Sequence, residues 1–136
     1  MPSVSVTTPL STAYAAPEVH LGHYELPSDL WALGVTMFQL VTGQLPFWSS
    51  YRELESLEWE QLTRAVLMQE IVYEGERWES MSPACRDLCS RLLDRDPATR
   101  ITAHEALQHQ WFSDWNCTPL DAAAGVEDQV CVAALA

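Results

Sequence analysis

The stretch from Ser82 to Phe112, SPACRDLCSRLLDRDPATRITAHEALQHQWF, leaves this chain the least conformational freedom. Ser82-Pro83 reads as a helix start. The hydroxyl can cap a free amide, and the proline supplies a φ suited to the first turn, where its missing N–H is not needed. Leu88, Leu92 and Leu93 then predict one buried stripe at helical spacing. Thr102-Ala103-His104-Glu105 is a capping box: the Thr102 hydroxyl accepts from the Glu105 amide and the Glu105 carboxylate reaches back. Ala106, Leu107 and Trp111 continue the apolar face of that last helix. The run therefore predicts two helices joined by the turn at 94–101.

Upstream, Ser28 is a good N-cap for a helix through residues 30–42 that stops near Gly43, a C-terminal signal. That helix is apolar on nearly every face, so it should sit in the centre, surrounded by protein. Residues 1–15 read as loop, and Pro17 can open a short helix. Leu45-Pro46-Phe47-Trp48 makes a turn with two aromatics to bury. Residues 49–60 are acidic and fit either a surface loop or a short helix. Leu62, Val66, Leu67 and Ile71 predict an amphipathic helix over about 60–72. Residues 74–81 read as a connection. No repeat and no strong strand pattern stands out, so the expected fold class is all-α.

Composition narrows the partners. The net charge of −12 disfavours nucleic acid and anionic membranes and suits a basic protein partner. The longest nearly apolar stretch, Leu30 to Val41, runs for about twelve residues, too short to span a bilayer. The N-terminus lacks a basic region followed by a long apolar core, so an intracellular, cytoplasmic protein is expected. Cys85, Cys89, Cys117 and Cys131 form no CxxC pair; buried free thiols are expected, and no metal site. Residues 113–136 carry no Lys or Arg and include Ala122-Ala123-Ala124-Gly125, which predicts an acidic, Ala-rich, disordered tail.

Four spaced motifs agree with one another: Ala16-Pro17-Glu18; Asp29, Trp31 and Gly34; Thr42-Gly43 with Pro46-Phe47; and Asp96-Pro97, Arg100, Thr102, Glu105-Ala106-Leu107, His109 and Trp111-Phe112. In this order and spacing, residues 10–112 resemble the C-terminal lobe of a eukaryotic protein kinase, from the end of its activation segment onward. Among kinases they are most similar to the calcium/calmodulin-dependent serine/threonine group. The resemblance implies that residues 1–112 form a partial protein kinase domain, a helical C-terminal lobe without the N-lobe sheet and catalytic loop. It implies that Ser11 and Tyr14 belong to the substrate-positioning loop. It pairs Glu18 with Arg100 as a structural ion pair, and makes Asp29 an anchor that accepts from catalytic-loop amides. Trp31 and Gly34 fall on packing positions. Leu10 stands where the family usually has glycine. Taken alone, Asp29 would read as a helix-end charge, and Glu18 and Arg100 as solvated ions.

What a phosphoryl-transfer site needs is not in this sequence. There is no lysine, no G-x-G-x-x-G, no H-R-D and no D-F-G. Only fifteen residues precede Ala16-Pro17-Glu18, too few for a nucleotide site. The expectation is a partial serine/threonine protein kinase domain that is inactive alone, with no catalytic residues and no cofactor of its own; ATP and Mg belong to the intact family. The cation-free tail argues against calmodulin binding, and there is no EF-hand loop. A basic peptide facing the acidic stretch from Glu53 to Glu79 is one expected partner, against a merely solvated charged face. The alternative function is a non-catalytic protein-binding module, a pseudokinase-like scaffold. Without a catalytic loop the central helix would then leave Leu30, Leu33 or Phe38 open. A third reading is an unstable product with no function.

Overall fold

A computed structural model describes residues 9–113. The expected tail, apart from Ser113, lies outside the described residues. Within them the architecture is helical, with no strand: α1 (Pro9–Thr12), α2 (Pro17–His20), α3 (Leu26–Thr42), α4 (Tyr51–Glu55), α5 (Trp59–Met68), α6 (Glu76–Glu79), α7 (Pro83–Leu92), α8 (Ala103–Leu107) and α9 (Gln110–Ser113). No helix among the described residues is long and apolar enough to cross a membrane.

The long helix α3 organises the rest. It packs chiefly against α7, while α2 packs on α5 and α1 on α4. Its first turn differs from expectation. Glu25 is the N-cap and Ser28 stands three residues inside, because Pro27 fits the first turn and lets the helix begin earlier. Glu25 and Ser28 then form a reciprocal capping box. Gly43 ends the helix at φ 78°, with its amide donating to the Gln39 carbonyl at 2.8 Å. This left-handed position favours glycine.

One core gathers Trp31, Val35 and Phe38 of α3 with Phe47, Trp48, Leu54, Leu62, Val66, Trp78 and Cys89. A second holds Leu88, Leu92, Ile101 and Ala106. The helices α3 and α7 approach so closely at Gly34 that a Cβ there would lie 2.8 Å from the Leu92 Cβ. Cys85 and Cys89 are buried free thiols. Burial pushes both thiols up, Cys89 to about 12.

Several local expectations are corrected. Residues 9–12 form a helical turn inside the expected loop, and 76–79 do so inside the expected connection, where Trp78 drives into the core. Of the two readings open for 49–60, the short helix holds: residues 51–55 are helical and capped by Ser50, whose hydroxyl accepts from the Glu53 amide. The helix α5 stops at Met68, short of 72. The last helix is two pieces, because the His109 Nδ1 accepts from the Trp111 amide and opens a new turn there. Most important, α3 is not covered all round. Leu26, Leu33 and Leu40, seven residues apart, are 85%, 53% and 74% exposed. Phe38, named with Leu33 as potentially open, is buried.

Candidate functional site

The site is a joint between the start of the described chain and its end. The helix α2 begins with Pro17 at its first position, which turns Glu18 inward beside the first turn of α3. The turn Asp94–Ile101 delivers Arg100 to the same point. Its shape is held by side chains: the Asp94 carboxylate accepts from the Asp96 amide at 3.0 Å and the Thr99 hydroxyl at 2.8 Å, and Asp96 accepts from the Ala98 amide at 2.9 Å. These are Asx-type bonds, for which aspartate is the usual residue.

Glu18 and Arg100, both buried, meet fork to fork. One terminal nitrogen of Arg100 donates to Glu18 Oε1 at 2.7 Å and the other to Oε2 at 2.9 Å. The guanidinium also donates to the carbonyls of Asp94 (2.8 Å), Pro27 (2.8 Å) and Arg95 (3.4 Å), and lies 5.4 Å over the buried Trp31 ring. The Ser28 hydroxyl donates to Glu18 Oε1 at 2.8 Å while accepting from the Glu25 amide at 3.2 Å. One side chain thus serves both the helix start and the ion pair. Burial pushes the Glu18 carboxyl up, but the hydrogen bonds from Arg100, the backbone and Ser28 outweigh it and hold the group below its ordinary value.

Ser11 is exposed at the end of α1, and its carbonyl accepts from the Tyr14 amide at 3.3 Å. Tyr14 reaches across to α3, where its hydroxyl donates to Gln39 Oε1 at 2.6 Å. The Gln39 amide donates to the Tyr51 hydroxyl, which lies 3.3 Å from that of Tyr14. Burial and the Tyr51 bond push the Tyr14 phenol up to about 12. This three-membered ring ties the link between α1 and α2 to α3 and α4, and no motif pointed to Gln39 or Tyr51. Asp29 stands exposed on the first turn of α3, its Oδ1 accepting from the Tyr24 hydroxyl at 2.6 Å. The structure thus brings Glu18 and Arg100 together, hangs Ser11 and Tyr14 from the same segment, and leaves Asp29 facing outward.

Two further residues escaped the sequence reading. Arg95 closes the C-terminal end of α5: its Nε donates to the Val66 carbonyl at 2.9 Å and its terminal nitrogen to the Gln69 carbonyl, with the guanidinium 5.7 Å over the Phe47 ring. His20 is buried between α2 and α5, and a histidine at the end of a four-residue helix carried no signal beyond its apolar neighbours. Beside the joint, the open face of α3 forms a wall of an apolar groove of about 370 Å³ with Leu88 and Leu92 of α7, Leu107 and Trp111. Among the described residues no cluster of three or more His, Cys, Asp or Glu is placed to hold a metal ion.

With this geometry in hand, comparison with known proteins is specific. The profile of a family described as "Protein kinase domain" matches residues 3–112. The chain is 37% identical over 109 residues to calcium-dependent protein kinase SK5 of Glycine max, covering 80% of this chain and 20% of the relative. It is 38% identical over 109 residues to calcium-dependent protein kinase 4 of Arabidopsis thaliana, with the same coverage. Calcium-dependent protein kinase 11 of Oryza sativa subsp. japonica is 41% identical over 101 residues, 74% of this chain and 16% of the relative. The chain spans about a fifth of the length of such relatives.

Proposed function

The chain belongs to the protein kinase family, and from that premise we propose that its residues 1–112 form the substrate-facing floor and helical scaffold of a serine/threonine kinase. The whole protein would transfer phosphate from ATP to protein Ser or Thr; the 136-residue chain alone does not. Ser11, in the helical turn α1, and Tyr14, just after it, belong to the segment that positions the acceptor hydroxyl, Glu18 and Arg100 fix that segment to the last helices, and Asp29 offers its exposed carboxylate to catalytic-loop amides.

The observation that carries this reading is the buried, two-pronged Glu18–Arg100 pair, with the Ser11–Tyr14 segment hanging from it. Holding a loop rigid is what positioning catalysis needs. The acidic stretch from Glu53 to Glu79 suits a basic substrate peptide.

A chimera tests the proposal: residues 10–112 replace the matching segment of the soybean relative, and peptide phosphorylation is measured. An active chimera that loses activity on Glu18→Gln supports the scaffold role; a folded but inactive chimera removes it. The isolated chain, titrated with ATP and Mg by calorimetry, should give no heat of binding.

The groove on α3 favours a second reading, a non-catalytic protein-binding module, since its lining is wholly apolar and open to solvent. Under that reading the folded chimera has no activity, and the 136-residue chain is monomeric with a sharp thermal transition.

A further inference from the structure

His20 has no part in the joint just described, yet it is 91% buried in the molecule, being 9% exposed. Its ring stacks on Trp59 of α5 at 5.1 Å, with planes 30° apart. Its Nδ1 lies 3.1 Å from the Thr63 Oγ1, also on α5. Its Nε2 is buried without a hydrogen-bond partner. A neutral imidazole needs one acceptor and one donor, and this setting half provides them. An imidazolium needs two acceptors; the Thr63 oxygen is the one at hydrogen-bond distance, while the backbone of Thr12 and Ala15 stands near the ring but leaves Nε2 without a hydrogen bond.

We propose that His20 is a proton-operated latch: charging its ring opens the α2–α5 contact and loosens the segment 11–17, which lies ahead of the Glu18 joint and carries Ser11 and Tyr14.

The surrounding charges do not rescue the cation. On α5 the nearest in sequence are Glu60 and Arg64; Glu60 is exposed, and so is Arg64. Residues 9–12 carry no ionisable side chain, and His23, just past α2, is exposed. On α2 itself the Glu18 carboxylate is turned into Arg100. The Trp59 face would attract a cation, but that ring is half exposed and its pull is screened. Burial is the main influence on the ring and holds its pKa below the ordinary histidine value, against a smaller upward pull from the backbone of Thr12 and Ala15. The native state therefore binds fewer protons than the unfolded chain. The contact is at full strength above about pH 6.5 and weakens as the pH falls below it. Glu18, held low, stays ionised through that window, so the joint to Arg100 persists while the latch opens. The device is a property of the fold and stands whether or not the kinase reading holds.

The test uses the 136-residue chain. Hydrogen exchange, corrected for intrinsic rates, is followed from about pH 7.5 to about pH 5.5. Amides of 11–17 should lose protection several-fold while those of 83–92 hold theirs, and the loss should follow the NMR titration of the His20 ring. His20→Phe, which keeps a ring on Trp59 and cannot charge, should give a flat profile. Equal loss in His20→Phe, no loss in the parent chain, or a midpoint that departs from the His20 titration would overturn the latch. The last two outcomes need no variant, so the proposal stays exposed even if His20→Phe fails to fold.

Discussion

At Arg100 all five N–H donors of one guanidinium are engaged: two on Glu18 and one each on the carbonyls of Pro27, Asp94 and Arg95. A lysine offers three donors from a point and cannot reproduce this fork. Removing one partner strands the other charge in a buried site, so Glu18→Gln should cost about 3–5 kcal/mol in urea unfolding. The sign of the pH dependence follows from the same group. The folded Glu18 carboxyl titrates below its ordinary value, so its contribution is present above about pH 4.3 and is lost as the pH falls through the folded value. The parent chain should lose stability on acidification more steeply than Glu18→Gln. Parallel acid profiles for the two would show that the pair does not act as described. The kinase resemblance could name these two residues because they fall on its spaced motifs; taken alone they read as solvated ions. It could not name Gln39, Tyr51 or Arg95, whose roles depend on where distant helices place them.

Helices with explicit start and stop signals were mostly legible, and short helical turns without them were not. Ser82-Pro83 and the Thr102–Glu105 box start α7 and α8 where the residues indicate: Ser82 accepts from the Cys85 amide, and Thr102 from the Glu105 amide, each at 3.2 Å. The element α6 has no such start signal, and Trp78, buried in the core, makes a helical turn of a stretch that reads as linker; α1 does open on Pro9, a start like that at Pro83, but in a stretch whose composition reads as loop. The start of α3 was displaced by three residues because Pro27 favours the first turn more strongly than Ser28 favours the cap. Its covered faces were over-counted, because a helix apolar all round says nothing about which neighbours the chain supplies. Packing of α3 on α7 yields a sharper expectation. Gly34→Ala places a Cβ 2.8 Å from the Leu92 Cβ and 3.0 Å from Leu93 side-chain carbons. The helices must move apart, and overpacking of this kind should cost about 1–3 kcal/mol. Thermal denaturation of the single variant checks it; an unchanged midpoint would mean that the two helices slide freely.

Taken as a whole, the described molecule is two apolar cores wrapped around one side of α3, with the Leu33–Leu40 side left as groove wall. Replacing Leu33 and Leu40, both exposed, by Gln should change folding stability by no more than about 0.5 kcal/mol each. The same change should lower binding of an apolar dye such as ANS, which checks whether the groove is open in solution; undiminished fluorescence would place the open surface elsewhere. The ion pair that holds the two ends of this arrangement joins residues 82 positions apart. On the ribosome, position 18 emerges long before position 100, and at 5–20 residues per second the delay is roughly 4–16 s. A newborn chain therefore carries its front segment unfastened for seconds, which makes those first helical turns the natural point of attack for chaperones and proteases before the last helices arrive.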